Sequence, residues 1–311
     1  MKTPAKSDGD ILDGIQLGLG AWAWGDRFVW QFGRGFGASD VRGAFEASMA
    51  AGVRLIDTAE VYGSGRSERF VGEFARASDH PALIATKFFP WPWRLSRKSL
   101  VSALKGSLNR LGLPAVDLYQ VHNPISPLSP ESLAEGLMDC LDAGLARSVG
   151  VSNFDESQML RAHSTLARQG AALVSNQVHY SLLQRSVEMN GLLARCKELG
   201  VRVVAYSPLE MGLLTGKYGS GHLPPGSRAL RYATLVGRIQ PLLRVMTEIG
   251  QDRDGKSIAQ VALNWVIAKG AIPIPGAKTA DQAMENLGAL GWSLTPDQVS
   301  SLDAASAEAL F

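Results

Sequence analysis

The sequence has little cysteine, almost no net charge and no long apolar run. Cys140 and Cys196 are the only two cysteines in 311 residues. They lie far apart without metal-ligand spacing, and both read as buried structural thiols on helices. His80, His163, His179 and His222 have no spacing that would hold a metal either, so none is expected. The balance of 31 basic against 29 acidic residues leaves a net charge of +2. No run of Lys or Arg exceeds two, which argues against nucleic acid or an acidic membrane surface as partner. No apolar stretch approaches the roughly 20 residues of a membrane span. Met1 to Asp10 is polar and carries no apolar signal region, which gives the expectation of a reduced, cytoplasmic protein.

What is present is alternation. Short β-like runs occur at Ile15–Leu19, Val53–Ile56, Ala82–Thr86, Val116–Val121, Arg147–Val151, Leu173–Val178, Val201–Tyr206 and Ala271–Pro275. Helical patterns fall between them at Ser39–Ala51, Ser67–Ala77, Ser96–Leu111, Ser129–Ala143, Asp155–Gln169 and Met189–Leu199. Further helical patterns cover Arg238–Ile249, Ser257–Lys269 and Ala280–Leu290. Glycine follows several of these helices, and Ser129-Pro130 and Asp155 stand where N-caps belong. Eight β/α repeats over one chain without a linker predict an α/β fold, a single (β/α)8 TIM barrel spanning residues 1–311 as one domain. A doubly wound sheet is the competing fold. It would want G-x-G-x-x-G after the first strand, and Gly18-Leu19-Gly20-Ala21-Trp22-Ala23 lacks the third glycine. Gly216 to Gly226 reads as a long loop after strand seven.

Asp57, Lys87 and His122 stand at or just past the ends of strands two, three and four, and Tyr62 follows Asp57 by five positions. In a barrel those strand ends open on one face, where catalytic groups collect. Singly, each has an ordinary explanation as a cap, a solvated lysine, a structural histidine or a turn tyrosine. Together they divide a task. A phenol titrating near 10 is a reluctant acid, an adjacent ammonium is expected to lower that value, and Asp57 supplies the counter-charge Lys87 needs. His122 can hydrogen-bond a substrate oxygen and fix its direction. The set suits protonation of a carbonyl oxygen as hydride reaches the adjacent carbon.

These residues resemble the aldo-keto reductase family. The resemblance runs from Gly18-Leu19-Gly20 to Glu285-Asn286. It is carried by Ile56-Asp57-Thr58-Ala59-Glu60-Val61-Tyr62-Gly63, Thr86-Lys87, Asp117 to His122, Gly150 to Phe154 and Asn176-Gln177-Val178. Ala205 to Leu209, Gly212 to Tyr218 and Ile274 to Thr279 continue it. The family's catalytic tetrad maps onto Asp57, Tyr62, Lys87 and His122. The resemblance implies NADPH/NADP+ as cofactor, with NADH possible, lying extended across the strand ends, and no metal. Ser152, Asn153 and Gln177 would hold the nicotinamide carboxamide, and Tyr206 would stack on its ring. Ser207, Leu209, Gly212 and Leu214 would line the pyrophosphate. Gly276, Lys278, Gln282, Glu285 and Asn286 would hold the adenosine end. Gly20, Ala21, Trp22, Asp57, Pro208, Gly216, Lys217 and Pro275 complete the implied cofactor contacts. Where many members place lysine, serine and arginine around the 2′-phosphate, this chain has Gly276, Ala277 and Gln282, leaving Lys278 as the strong positive charge. The sequence is most similar to bacterial and plant-chloroplast members, and more distantly to potassium-channel β subunits.

Aromatic residues crowd the expected mouth, with Trp22, Trp24, Phe28 and Trp30 after strand one and Phe88, Phe89, Trp91 and Trp93 after strand three. Trp22, Trp24, Phe89, Trp91 and His122 are the expected substrate contacts, for an aromatic or medium-sized aldehyde or ketone. About 25 residues follow Asn286, so any C-terminal specificity loop should be short. Two other readings compete with a carbonyl reductase: a cofactor-bound regulatory subunit, and a barrel lyase using Lys87 as a Schiff-base nucleophile. Gly150 to Phe154 lacks the last glycine of a hydrolase nucleophile elbow, and Gly212 to Lys217 lacks P-loop spacing.

Overall fold

The computed structural model describes residues 10–219, 221–223 and 227–310, with only the backbone for 227–231. The polar N-terminal stretch up to residue 9 and the Pro224-Pro225 part of the loop expected at 216–226 lie outside these residues. Eight parallel strands follow one another in sequence order: β1 Leu19–Gly20, β2 Leu55–Asp57, β3 Leu83–Phe88, β4 Val116–Val121, β5 Ala146–Ser152, β6 Leu173–His179, β7 Arg202–Tyr206 and β8 Ile272–Pro273. A parallel bridge between Gly20 and Gly276 joins the last strand to the first. Gly18 N and Gly20 N donate to Pro273 O and Pro275 O, each at 3.0 Å, across the same seam. The sheet is therefore the closed barrel that the alternation predicts.

The helices are α1 Ala38–Ala50, α2 Arg66–Ala77, α3 Lys98–Leu111, α4 Pro130–Asp142, α5 Glu156–Arg168, α6 Ser186–Met189, α7 Leu192–Glu198, α8 Ser227–Arg238, α9 Gln240–Asp252, α10 Ile258–Ala268, α11 Ala280–Leu287 and α12 Pro296–Leu310. The expected caps at Ser129 and Asp155 form, their side chains accepting from Ser132 N and Gln158 N. At α1 the N-cap is Gly37, whose N–H is taken by Asp40 Oδ2 at 2.7 Å.

Four departures have physical causes. Ile15 belongs to no strand; with Leu12 it plugs the barrel floor, so β1 pairs only at Leu19–Gly20. β8 is shorter than Ala271–Pro275 because Pro273 and Pro275 have no N–H to give the ladder. The single helix expected at Met189–Leu199 is two, interrupted at Asn190-Gly191, where Gly191 takes φ 80°. The helix expected from Arg238 begins at Gln240 with Pro241 in its first turn, while α8 precedes it.

Two apolar clusters separate along the strands by their period of two. Outward residues such as Ile56, Ile84, Tyr119 and Val149 pack under the helices. Inward residues Leu55, Ala85, Leu118, Val174, Val204 and Ile272 fill the barrel interior above Leu12 and Ile15. The next inward positions on β2, β3 and β4 are Asp57, Lys87 and Gln120. The same alternation that builds the core thus places polar side chains at the mouth.

Candidate active site

Asp57 is the last residue of β2, and Lys87 sits inside β3 rather than beyond it. Lys87 Nζ donates to Asp57 Oδ2 at 2.5 Å and to Thr58 O at 2.9 Å, and lies 3.5 Å from Tyr62 Oη. The two side chains of the ion pair are 0% and 4% exposed. Asp57 Oδ1 accepts from Gln177 Nε2 at 2.8 Å and Gln120 Nε2 at 3.4 Å. Burial pulls the Lys87 ammonium down from its ordinary value, with the Asp57 charge acting against it. Lys87 spends its hydrogens on three fixed partners and has no free face, a poor state for a Schiff-base nucleophile.

Tyr62 opens a tight turn, Tyr62–Gly65, after β2. The turn presses against the β1–α1 loop: a Cβ on Gly63, which has φ 55°, would stand 2.7 Å from the carbonyl carbon of Gly25. Only glycine fits that approach. The expectation that Lys87 lowers the Tyr62 phenol is corrected by the structure. Burial first, then the charges of Asp57 and Tyr206, push it well above its ordinary value. The ammonium is already matched by Asp57, so Tyr62 holds its proton firmly.

His122 follows β4 directly, its N–H on Phe88 O at 2.8 Å. Its ring meets the rings of Tyr62 and Phe89 edge-on, each at 5.6 Å. Burial and the nearby Lys87 charge lower its pKa to about 3, so the imidazole is neutral at physiological pH. Its Nδ1 is buried without a hydrogen-bond partner.

These groups stand at one end of an elongated cavity of about 890 Å³. Gly20, Trp22, Asp57, Tyr62, Phe89 and His122 line that end. Ser152, Asn153, Gln177 and Tyr206 line the middle, where Asn153 holds a left-handed backbone (φ 62°). Its side chain donates to His122 O at 3.1 Å and accepts from Tyr206 Oη at 3.0 Å. Ser207, Pro208, Leu209, Gly212 and Lys217 continue the wall, and Pro275, Gly276, Lys278, Gln282, Glu285 and Asn286 line its far end. There Lys278 Nζ lies 4.7 Å from the rings of both Trp30 and Phe36.

Six expected residues are not on the wall. Lys87 is fully buried behind Asp57 and Tyr62 and reaches the cavity only through them. Trp24 is fully buried, its indole N–H donating to Ala277 O at 2.9 Å and its ring packed near Phe74; it fastens the first loop to the last and is not a substrate contact. Trp91 lies outside the cavity, stacked parallel on Trp93 at 5.1 Å and touching Phe89. Ala21 and Leu214 are buried behind the wall, and Gly216 ends the turn Glu210–Thr215 at φ 75°.

Other residues shape the site without having been expected. Gln120 lies two before His122, on the same strand face, so period two could have found it. Glu60 accepts from Phe89 N at 2.7 Å and takes both arms of Arg94, tying the Tyr62 loop to the Phe89 loop. Its position inside the segment from Asp57 to Tyr62 was the available signal. Among the described residues no cluster of three His, Cys, Asp or Glu side chains could hold a metal.

The sequence comparisons agree with this geometry. The model of the Aldo/keto reductase family matches residues 16–307. The chain is 40% identical to the chloroplastic pyridoxal reductase of Arabidopsis thaliana, over 94% of this chain and 83% of that protein. It is 31% identical to a probable voltage-gated potassium channel subunit beta of Oryza sativa subsp. japonica, over 93% and 92%. Among solved structures, an aldo-keto reductase from Klebsiella pneumoniae in complex with NADPH superposes with a TM-score of 0.73 at 26% identity, covering 93% of this chain and 90% of that one. The chain belongs to the aldo/keto reductase family, and with that to the oxidoreductases that use NAD(P)H to reduce carbonyl groups.

Proposed function

We propose that this protein reduces aromatic or medium-sized aldehydes and ketones with Tyr62 as proton donor, Lys87 and Asp57 as its electrostatic support, and His122 as the group that orients the carbonyl. One observation carries the reading: Tyr62 Oη lies 3.5 Å from Lys87 Nζ, itself 2.5 Å from Asp57, beside a neutral His122 at the end of the cavity.

The cavity fits an extended dinucleotide. The flat Tyr206 ring would take the nicotinamide, with Ser152, Asn153 and Gln177 at its carboxamide. The loop from Ser207 to Lys217 would cover the pyrophosphate, and Lys278, Gln282, Glu285 and Asn286 would hold the adenosine. Bound NADPH supplies the hydride. The chain's own groups manage the oxygen. A carbonyl oxygen seated between Tyr62 and His122 accepts a hydrogen bond from each, His122 in whichever tautomer turns its N–H to the oxygen. As that oxygen becomes an alkoxide, a stronger base than phenolate, Tyr62 releases its proton without a lowered pKa. The phenolate then faces the Lys87 ammonium, and Asp57 keeps Lys87 charged.

Trp22 and Phe89 give the substrate end flat apolar walls, which supports a ring-bearing substrate; Phe89 is itself braced by Trp91. The pyridoxal reductase relative makes pyridoxal the first aromatic aldehyde to try. Cys140 and Cys196 are free, and burial pushes both thiols up to about 12. Such inert thiols suit a reducing cytoplasm. The chain works as one functional barrel unit. Its test is NADPH oxidation against a panel of aromatic and aliphatic aldehydes, ketones and pyridoxal. Turnover greatest with aromatic aldehydes is expected. Tight NADPH binding with no turnover across the panel would sink the reductase reading and leave a regulatory subunit.

A further inference from the structure

Glu210 is a buried carboxylate that the proton chemistry does not use. It lies in the segment between β7 and α8 whose neighbours on both sides, Ser207 to Leu209 and Met211 to Gly212, line the cavity, while Glu210 itself does not. It is 4% exposed. Its Oε2 meets His179 Nε2 at 2.7 Å and Ser181 Oγ at 3.5 Å, and Oε1 accepts from Tyr232 Oη at 3.1 Å. Three pieces of chain therefore converge on one side chain: the end of β6 with its following turn, the cavity loop, and α8.

The backbone around it is strained. Ser207, Glu210 and Met211 hold φ of 50°, 45° and 51°, a left-handed region that residues with a Cβ disfavour. Such a conformation persists only where surrounding bonds enforce it, and the Glu210 slot supplies those bonds. The slot also reaches the cavity's central wall, because the His179 ring stacks under Tyr206 at 5.1 Å and 17°. A charged peg differs from an apolar one in a useful way. Withdrawn, it is well solvated; seated, it is fully hydrogen-bonded, so neither state is strongly excluded.

We propose that Glu210 is a positioning residue that latches the loop 207–217 over the nucleotide, so that release requires its withdrawal from His179, Ser181 and Tyr232. The inference rests on the reading that this loop and Tyr206 hold the cofactor. The test is stopped-flow displacement of bound NADPH and NADH, followed by nucleotide fluorescence, in wild type, Glu210→Ala, Glu210→Gln and Tyr232→Phe. Loss of charge-assisted bonds should make Glu210→Ala release both nucleotides about tenfold faster or more, by equal factors, since none of its partners His179, Ser181 and Tyr232 is among the residues assigned to the adenosine end. Single-turnover hydride transfer from saturated enzyme should change by less than about threefold, because the group acts on binding and not on the transition state. Glu210→Gln, which keeps neutral hydrogen bonds, should fall between wild type and Glu210→Ala. Unchanged release in Glu210→Ala overturns the latch, as does a parallel loss of hydride transfer, which would mean general damage to the site. Should Glu210→Ala fail to fold, unchanged release in both Glu210→Gln and Tyr232→Phe overturns it equally. A wild type that binds neither nucleotide overturns the cofactor reading itself, and the latch with it.

Discussion

The tetrad end of the cavity and its α11 end hold charge in opposite ways. At the tetrad end Lys87 and Asp57 are almost wholly buried, and each is fixed by several bonds from strands of the barrel. At the α11 end Gln282 and Glu285 are exposed, and the Lys278 ammonium rests against the Trp30 and Phe36 rings. Thr279 caps the short helix there, its Oγ1 accepting from Gln282 N at 3.3 Å. Buried charge in a rigid frame costs much to disturb and tolerates few alternatives, whereas charge in water is weakly held and easily exchanged. Under the proposed function, the contrast separates reaction chemistry from cofactor preference.

Tyr62→Phe tests the rigid end most directly. It should lower kcat by about 10²- to 10⁴-fold, the usual contribution of a general acid, with NADPH affinity little changed. A variant keeping more than about a tenth of wild-type kcat would move the proton to His122.

Lys87→Met strands the Asp57 carboxylate. Turnover should collapse, and chemical denaturation should show a loss of about 3–5 kcal/mol of stability. Asp57→Leu combined with Lys87→Met should cost less than the two single changes added together. Strict additivity would mean the two groups do not work as a pair.

His122 supplies a pH test. Its pKa falls from about 6.5 in the unfolded chain to about 3 in the fold, so the unfolded state binds the proton first as pH drops. Stability present above pH 6.5 should therefore decline towards pH 3, with a slope of up to about 1.4 kcal/mol per pH unit from this group. Denaturant midpoints for wild type and His122→Asn should converge as pH falls through that window. Parallel curves would place the imidazole in a solvated setting.

At the soft end, Lys278→Ala should weaken NADPH by about 1–2 kcal/mol, roughly five- to thirtyfold. A charged hydrogen bond to the 2′-phosphate is partly offset by the cation–π contacts the lysine surrenders. NADH affinity should stay the same; equal weakening of both, or a wild type preferring NADH, would remove Lys278 as the phosphate reader.

Legibility in the sequence follows the same contrast. The sequence pattern bounds β4 at Val116–Val121 and marks all eight strands, because strand period and apolar content are local signals. Asp57, Lys87 and His122 can be read as neighbours because each adjoins such a strand, and Tyr62 because it follows Asp57 by five positions. The place of Trp24 is not legible in the sequence, because which side of a loop faces the cavity depends on distant partners, here Ala277. Helix α12 gives only a weak periodic signal in the sequence. Its buried face, Leu302, Ala305, Ser306 and Ala309, is mostly small residues, and it is tied down by Asp303, which takes Lys269 Nζ at 2.9 Å and the Trp265 indole N–H. The Glu210 slot was invisible for a related reason, since His179, Ser181 and Tyr232 come from other elements. The desolvation that raises the half-buried Tyr62 phenol likewise cannot be read from its spacing to Lys87.

The barrel's closing seam has a consequence for how the whole molecule comes apart. β1 and β8 contribute two residues each, and Gly20 is pressed so closely to Ile274 O that a Cβ there would stand 2.8 Å away. Gly20 and Trp22 come from the beginning of the chain, and Pro275 to Asn286 from near its end, yet both line the same cavity. A nucleotide lying along that cavity works as a staple between the two margins of the cylinder, and its binding energy adds to the weakest join. Amide exchange at Gly18 and Gly20, whose N–H groups cross the seam, should therefore be the protection that nucleotide improves most, and proteases should find this seam before any other stave.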